Sequence, residues 1–115
     1  MSLLQEVEFK LKELDPNVYY GLADQQNEWN YIVYSRSDTQ ISENRTAKGR
    51  YVRVAVVREN YIEEDMEAIL LEKMKSIPGL RKTQEPISYT YMRKPNTNVV
   101  VEIMEAEFVK AVKRA

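Results

Sequence analysis

The spacing of hydrophobic positions predicts a helix at the start of the chain. Leu4, Val7, Leu11 and Leu14 recur at intervals of three and four residues, which is typical of a helix with one apolar face. Ser2 with Gln5 forms a capping box before this stripe, and the sequence DPN follows it. We therefore predict the first helix over residues 3–14.

A second apolar stripe predicts another helix in the middle of the chain. It contains Met66, Ile69, Leu70, Met74 and Ile77. Asn60 is a predicted N-cap for this helix, and the Pro78-Gly79 pair predicts its end. The three methionines Met66, Met74 and Met104 are predicted to fill the core.

Five segments rich in β-branched and aromatic residues predict strands. The clearest is YVRVAVVRE, in which Val52, Val54 and Val56 alternate with residues that belong to the opposite face. The predicted strands cover residues 18–21, 30–36, 51–59, 86–93 and 99–112. Local signals alone leave strand or helix open for residues 105–114.

The predicted order of elements, α-β-β-β-α-β-β, indicates one α+β domain over residues 1–115. Such an order favours two layers: a twisted, mostly antiparallel sheet of about five strands, with one or two helices packed on one face. A chain of 115 residues is too short for two ordinary domains, and it contains no repeat, low-complexity tract or interdomain linker.

Composition narrows the possible chemistry. The chain has no Cys and no His, which excludes disulfides, thiolate metal sites and His-dependent catalysis. Its formal net charge of −1 does not indicate nucleic acid or anionic lipid as the main ligand. The first residues lack the pattern of a signal peptide, and no segment approaches the roughly 20 apolar residues of a membrane span. These features predict a cytosolic origin.

Three groups of residues are candidate sites, and each has a simpler structural interpretation. The acidic run 63–65 fits the first turn of a helix, where the dipole favours negative charge. Glu102, Glu105 and Glu107 on the last strand include one pair on a common face, suited to a cation or to ion pairs. TAKGR at 46–50 lacks the spacing of a phosphate-binding loop. We predict no catalytic, cofactor or metal site and no enzyme.

The eight tyrosines allow a different class of function. Tyr51, Tyr89 and Tyr91 are candidates for a surface on which the bases of RNA or single-stranded DNA stack. Tyrosine is also common in strands and at protein interfaces, and the near-zero net charge disfavours a nucleic-acid groove. Nucleic-acid binding is therefore the alternative from another class.

Two long segments resemble the tail-terminator family, the tail-completion or head-tail joining proteins of long-tailed bacteriophages and prophages. They are YVRVAVVRENYIEEDMEAILLEKMKSIPGLR and YTYMRKPNTNVVVEIMEAEFVKAVKR. The most specific pieces are the Pro78-Gly79 helix end and the hairpin from Tyr89 to Glu102 with its turn KPNTN. The resemblance covers most of the chain and also extends to the head-completion proteins of the neck.

The resemblance implies a non-enzymatic virion protein of the tail or neck, present in the host cytoplasm during assembly. It implies a homohexameric ring on the last ring of the tail tube, which stops tube growth and joins the tail to the head. The expected partners are further copies of the chain, the tail-tube protein and a head connector, with DNA only as passing cargo and no membrane. No cofactor is implied, and strand is favoured for residues 99–109.

A long polar loop over about 37–50 is the most unusual segment, because hairpin loops usually have two to five residues. Only Ile41 and Ala47 are apolar among its central residues, so it cannot order itself by burial. We expect it to dock on a neighbouring subunit or ring, and deletion of residues 38–48 to leave a folded protein unable to cap tubes. The candidate interface residues are Arg36, Asp38, Glu43, Arg45, Lys48 and Arg50.

Overall fold

The computed structural model describes residues 1–24, 28–37 and 49–111 as two helices and six strands. The elements are α1 (Leu3–Lys12), β1 (Val18–Tyr20), β2 (Tyr31–Arg36), β3 (Gly49–Glu59), α2 (Met66–Lys75), β4 (Leu80–Lys82), β5 (Ser88–Arg93) and β6 (Val100–Ala111). The predicted α+β class is confirmed, with a sixth strand that the sequence pattern missed. Four of the six proposed interface residues, Asp38, Glu43, Arg45 and Lys48, lie outside the described residues.

The sheet is mixed but mostly antiparallel, and its central strands are β3 and β6. Its order is β1-β2-β3-β6-β4, and only the β1–β2 pair is parallel. β5 pairs with the first half of β6, whereas β4 pairs with the last residues of the same strand. Since β5 and β4 share one side of β6, they and β1 form the two open edges of the sheet.

Both helices pack on the same face of this sheet and form one core with it. Capping of α1 follows the prediction, because the Ser2 side chain accepts from the Gln5 N–H and the Gln5 side chain accepts from the Ser2 N–H. The buried residues of the common core come from α1, α2, their flanks and the inner positions of the strands: they are Leu3, Val7, Leu11, Ile32, Tyr34, Val52, Val54, Val56, Ile62, Met66, Leu70, Met74, Ile77, Leu80, Met104, Ala106 and Phe108. The predicted core role of the three methionines is confirmed, and the three valines of β3 share one face as predicted, which is the buried one.

The start of α2 differs from the prediction. Asn60 does not cap the helix; it has a positive φ of 72° and its backbone N–H donates to the Val100 carbonyl at 2.7 Å. The N-cap is Asp65, and α2 begins at Met66. Residues 60–65 are needed to cross from the sheet to the helical layer, and Ile62 is buried on the way.

The region after α2 contains the strand that the sequence pattern missed. Gly79 has a φ of +81°, a conformation that favours glycine, and it turns the chain back into β4. β4 has only three residues, LRK, and two of them are charged, so the sequence shows no alternation there. β6 remains a strand to Ala111, which settles the strand alternative for residues 105–111; residues 112–115 lie outside the described part.

A buried ion pair joins three elements at one end of the sheet. Arg58 of β3 donates from Nη2 to Asp15 Oδ2 at 2.9 Å, and both side chains are less than a tenth exposed. Nη1 of Arg58 donates to the Val57 carbonyl at 3.0 Å, and Nε lies 3.3 Å from Glu63 Oε1. Asp15 Oδ1 in turn accepts from the Asn17 N–H at 2.8 Å. The pair therefore fixes the segment after α1 against β3 and the approach to α2.

Candidate interaction surfaces

β5 is an edge strand with every one of its six residues exposed. It carries Tyr89, Tyr91 and Met92, which are 42%, 62% and 41% exposed, and it contains no proline. The open backbone groups of an edge strand can pair with another chain, and proteins usually cover or charge such edges. Large exposed apolar side chains on an edge therefore indicate a docking surface.

Tyr89 and Tyr91, together with Tyr61, form what we call the tyrosine surface (Tyr61, Tyr89 and Tyr91). Tyr91 lies opposite Glu102 in the β5–β6 register and hydrogen-bonds to its carboxylate. Glu102 Oε1 also accepts from the Ile62 N–H at 2.7 Å, and Tyr61 is the residue just before Ile62 in the chain. Tyr61 is 73% exposed. One half-buried acid, Glu102, thus binds both Tyr91 and the backbone next to Tyr61.

A second carboxylate holds Tyr89 in place. The Tyr89 hydroxyl donates to Glu67 Oε2 of α2 at 2.7 Å. This hydrogen bond, followed by partial burial and the negative charges of Glu67 and Glu102, raises the pKa of Tyr89 from 10.0 to about 12. The hydrogen bond to Glu102 likewise raises the pKa of Tyr91. Both phenols stay neutral at physiological pH and remain donors to carboxylates.

Replacing Glu67 by Gln is expected to lower the pKa of Tyr89 back towards 10, because the negatively charged acceptor is lost. The folded state holds this proton more tightly than the unfolded state does. The stabilisation is therefore complete below pH 10 and is lost as pH rises towards about 12. NMR titration of tyrosine labelled at Cζ measures the pKa, with Glu72→Gln on the same helix as the matched control. A wild-type Tyr89 that titrates near 10 would contradict the hydrogen bond.

The acidic turn (Glu63, Glu64 and Asp65) lies next to the tyrosine surface, between Ile62 and α2. All three residues are exposed, and Glu63 makes an ion pair with Arg58. Asp65 occupies the N-cap position, but its side chain makes no capping hydrogen bond. Glu64 and Asp65 thus contribute negative charge without a cationic partner among the described residues.

The opposite end of the sheet carries positive charge, in what we call the basic row (Arg36, Arg50, Lys82 and Lys110). Side chains alternate between faces along a strand, so residues in register or two apart share a face. Arg36 and Lys82 are in register with the buried Val52 and Phe108 respectively. Arg50 and Lys110 each lie two residues beyond these positions. The basic row therefore lies on the helix-bearing face.

Two members of the basic row face each other directly. Arg50 of β3 and Lys110 of β6 are cross-strand partners in the antiparallel register. Like charges at directly opposed positions destabilise a sheet. Among the described residues, none of Arg36, Arg50 and Lys110 has an ion pair. Within the described residues, this opposition of like charges is an electrostatic cost that an acidic partner would remove.

Of the six interface residues predicted from the sequence, the described structure includes Arg36 and Arg50. It brings both to the same face of the same end, at the last residue of β2 and the second residue of β3. It adds Lys82 and Lys110, which sequence reasoning missed. The signal that was available is weak, since only the strand register shows that these four cations are neighbours.

The other candidate site residues predicted from the sequence are the acids of the last strand and the segment 46–50. Arg53 lies 3.6 Å from Glu105 and 3.9 Å from Glu107, so the two acids that share a face make ion pairs. No cluster of three acids suited to a metal occurs within 1–24, 28–37 and 49–111. Gly49 and Arg50 begin β3, and residues 46–48 lie outside the described part.

The predicted stacking surface of Tyr51, Tyr89 and Tyr91 is not assembled on one face. Tyr51 lies opposite Val109, on the face away from the helices. Tyr89 lies opposite the buried Met104 and Tyr91 opposite Glu102, on the helix-bearing face. The three rings therefore cannot contact one strand of nucleic acid as a continuous platform.

Comparison of the chain with protein-family models and with curated proteins finds no match.

Within the described residues, the two helices are ten residues long each, and neither has the length and hydropathy of a membrane span.

Proposed function

We propose that this protein is a virion structural protein of the tail or neck of a long-tailed phage. In this proposal it forms a hexameric ring at the head-proximal end of the tail, stops growth of the tail tube and joins the tail to the head. The family resemblance of the sequence supplies the role. The protein acts by docking onto copies of itself, onto the tail tube and onto a head connector. DNA passes through the ring as cargo.

The observation that carries this proposal is the exposed edge strand β5 with the tyrosine surface beside it. A surface of this kind suits a protein that functions while bound to other chains. The acids near these tyrosines are hydrogen-bonded to phenols and to backbone, which is a fixed recognition surface rather than an acid–base pair. The proposed contacts of residues 38–48 lie outside the described residues.

Tube growth in the presence of the protein tests the proposal. Purified tail-tube protein of the same phage is polymerised with and without the chain, and tube lengths are measured by electron microscopy. We expect growth to stop when the protein is added, and native mass spectrometry to detect six copies on a tube end. Unaffected tube growth, together with binding to portal or adaptor proteins, would instead assign the chain to head completion.

Replacing Tyr91 by Lys is expected to abolish this capping, because it places a charge in the middle of the exposed edge. Tyr91 is 62% exposed, so folding should be unaffected. Phe9→Lys is the matched control, since Phe9 is 56% exposed on α1 and belongs to neither charged surface. Circular dichroism checks the fold of both variants. Normal capping by Tyr91→Lys would exclude the β5 edge as the docking surface.

A further inference from the structure

We propose that the basic row of one copy docks on the tyrosine surface and acidic turn of the next copy. The inference rests on the proposed function only for the idea that copies contact one another. The occupant of both surfaces is a second copy of this chain.

The electrostatics of the basic row point to an acidic occupant. Arg50 and Lys110 are opposed across the β3–β6 ladder in a chain whose net charge is −1. Arg36, beside them on the same face, is exposed and also lacks an ion pair among the described residues. A carboxylate placed between these cations would relieve their mutual repulsion and gain charge-assisted hydrogen bonds.

The chain itself presents the complementary surface. Glu64 and Asp65 are exposed acids without a cationic partner in the described residues. Tyr61, three residues before Glu64, and Tyr91 are exposed and offer aromatic faces on which guanidinium groups stack. Arginine and tyrosine are both enriched at the centres of protein interfaces. The basic row, with its two arginines, therefore matches this surface in charge and in stacking chemistry.

The two surfaces cannot meet within one copy. Glu102, which binds Tyr91 of the tyrosine surface, and Lys110, in the basic row, lie eight residues apart on β6. At about 3.3 Å per residue this separation is about 26 Å along the strand. Since the two surfaces differ, the contact between copies is heterologous, and heterologous contacts generate rings when the rotation closes.

Charge reversal on each side tests the contact. The first variant carries Arg36→Glu and Arg50→Glu, and the second carries Glu64→Lys and Asp65→Lys. Each alone should weaken self-association at least about tenfold in sedimentation equilibrium, because like charges then face each other. An equimolar mixture should regain association, since each reversed surface meets its reversed counterpart. In the first variant the carboxylate introduced at position 50 faces Lys110, so folding stability should hold or increase.

Lys10→Glu with Lys12→Glu is the matched control for the first variant, because it makes the same change in net charge on α1. The control should associate as the wild type does, and association of the wild type should weaken as salt rises from about 0.1 M to about 1 M. A wild-type protein that stays monomeric at low salt up to about 1 mM would overturn the proposal. So would unchanged association of either variant, or a mixture that fails to recover.

Two outcomes separate this inference from the proposed function. Tube capping by the wild type without charge-dependent contact between copies would keep the function and reject the interface. Charge-dependent association without any effect on tubes would keep the interface and reject the function. Salt-sensitive retention on a DNA column that depends on Arg36 and Arg50, with no self-association, would overturn the interface and assign the basic row to phosphate.

Discussion

Replacing Phe108 by Ala is expected to destabilise the protein by about 3 to 5 kcal/mol. Phe108 of β6 is 1% exposed, and it is among the largest fully buried side chains. It lies in register between Val52 of β3 and Lys82 of β4, so its ring fills the space between the sheet and the helical layer. Truncation removes its burial and leaves a cavity that the rigid central strands cannot close.

The chain provides its own control, since its other phenylalanine is on the surface. Phe9 is 56% exposed on α1, and Phe9→Ala should change stability by no more than about 0.5 kcal/mol. Urea unfolding followed by circular dichroism gives both values. Because small domains have about 5 to 15 kcal/mol in total, the Phe108 variant should lose a large share of it. Equal small effects for both variants would place the core elsewhere.

Asp15→Ala is the second change with a large expected effect, about 3 to 5 kcal/mol, because it leaves the buried guanidinium of Arg58 without its closest acid. Asp15 is 7% and Arg58 8% exposed, so water cannot replace the lost partner. The remaining acid, Glu63, lies 3.3 Å from Arg58 Nε and is itself exposed, so it compensates only in part. The loss of the Asn17 N–H acceptor adds to the cost.

An exposed ion pair supplies the comparison for Asp15. Lys12 lies 3.6 Å from Glu8 on α1, and Lys12→Ala should cost less than about 1 kcal/mol. The double variant Asp15→Ala with Arg58→Met removes both charges and should recover part of the stability, as apolar replacements of buried pairs often do. Urea unfolding measures all three. A cost below about 1 kcal/mol for Asp15→Ala alone would mean that Arg58 does not need this partner.

If the basic row binds a neighbouring copy, the opposition of two like charges inside the fold has a functional explanation. The central β3–β6 ladder places Arg50 opposite Lys110, and within the described residues this pair of like charges is unfavourable. The same arrangement provides a fixed pair of cations for an acidic partner. Relief of this repulsion by a neighbouring copy would then favour assembly.

Local sequence patterns predicted most helices and strands because their causes are local. Alternation in YVRVAVVRE predicted the inner face of β3, where Val52, Val54 and Val56 are buried. The Ser2–Gln5 box predicted the start of α1 for the same reason, since both partners lie within one turn. The Asn60 N-cap was wrong because the backbone of Asn60 bonds to Val100 of β6, far along the chain.

The candidate surfaces could be predicted only in fragments. Arg36 and Arg50 flank a polar segment in the sequence, and their common face with Lys82 and Lys110 comes from the strand register. Likewise, the sequence separates Tyr61 from Tyr91, which only the pairing of β5 with β6 and the hydrogen bond from Ile62 to Glu102 bring together.

By itself, the sequence determined the two helices with one apolar face each, the inner faces of the main strands and the absence of Cys and His chemistry. Each of these depends on residue type or on short-range periodicity. The tertiary structure alone decided the partner of Arg58, the existence of β4 and the separation of the acidic and basic surfaces. Each of these depends on which strand lies beside which and in what register, and that choice is made by burial summed over the whole sheet rather than by any local segment.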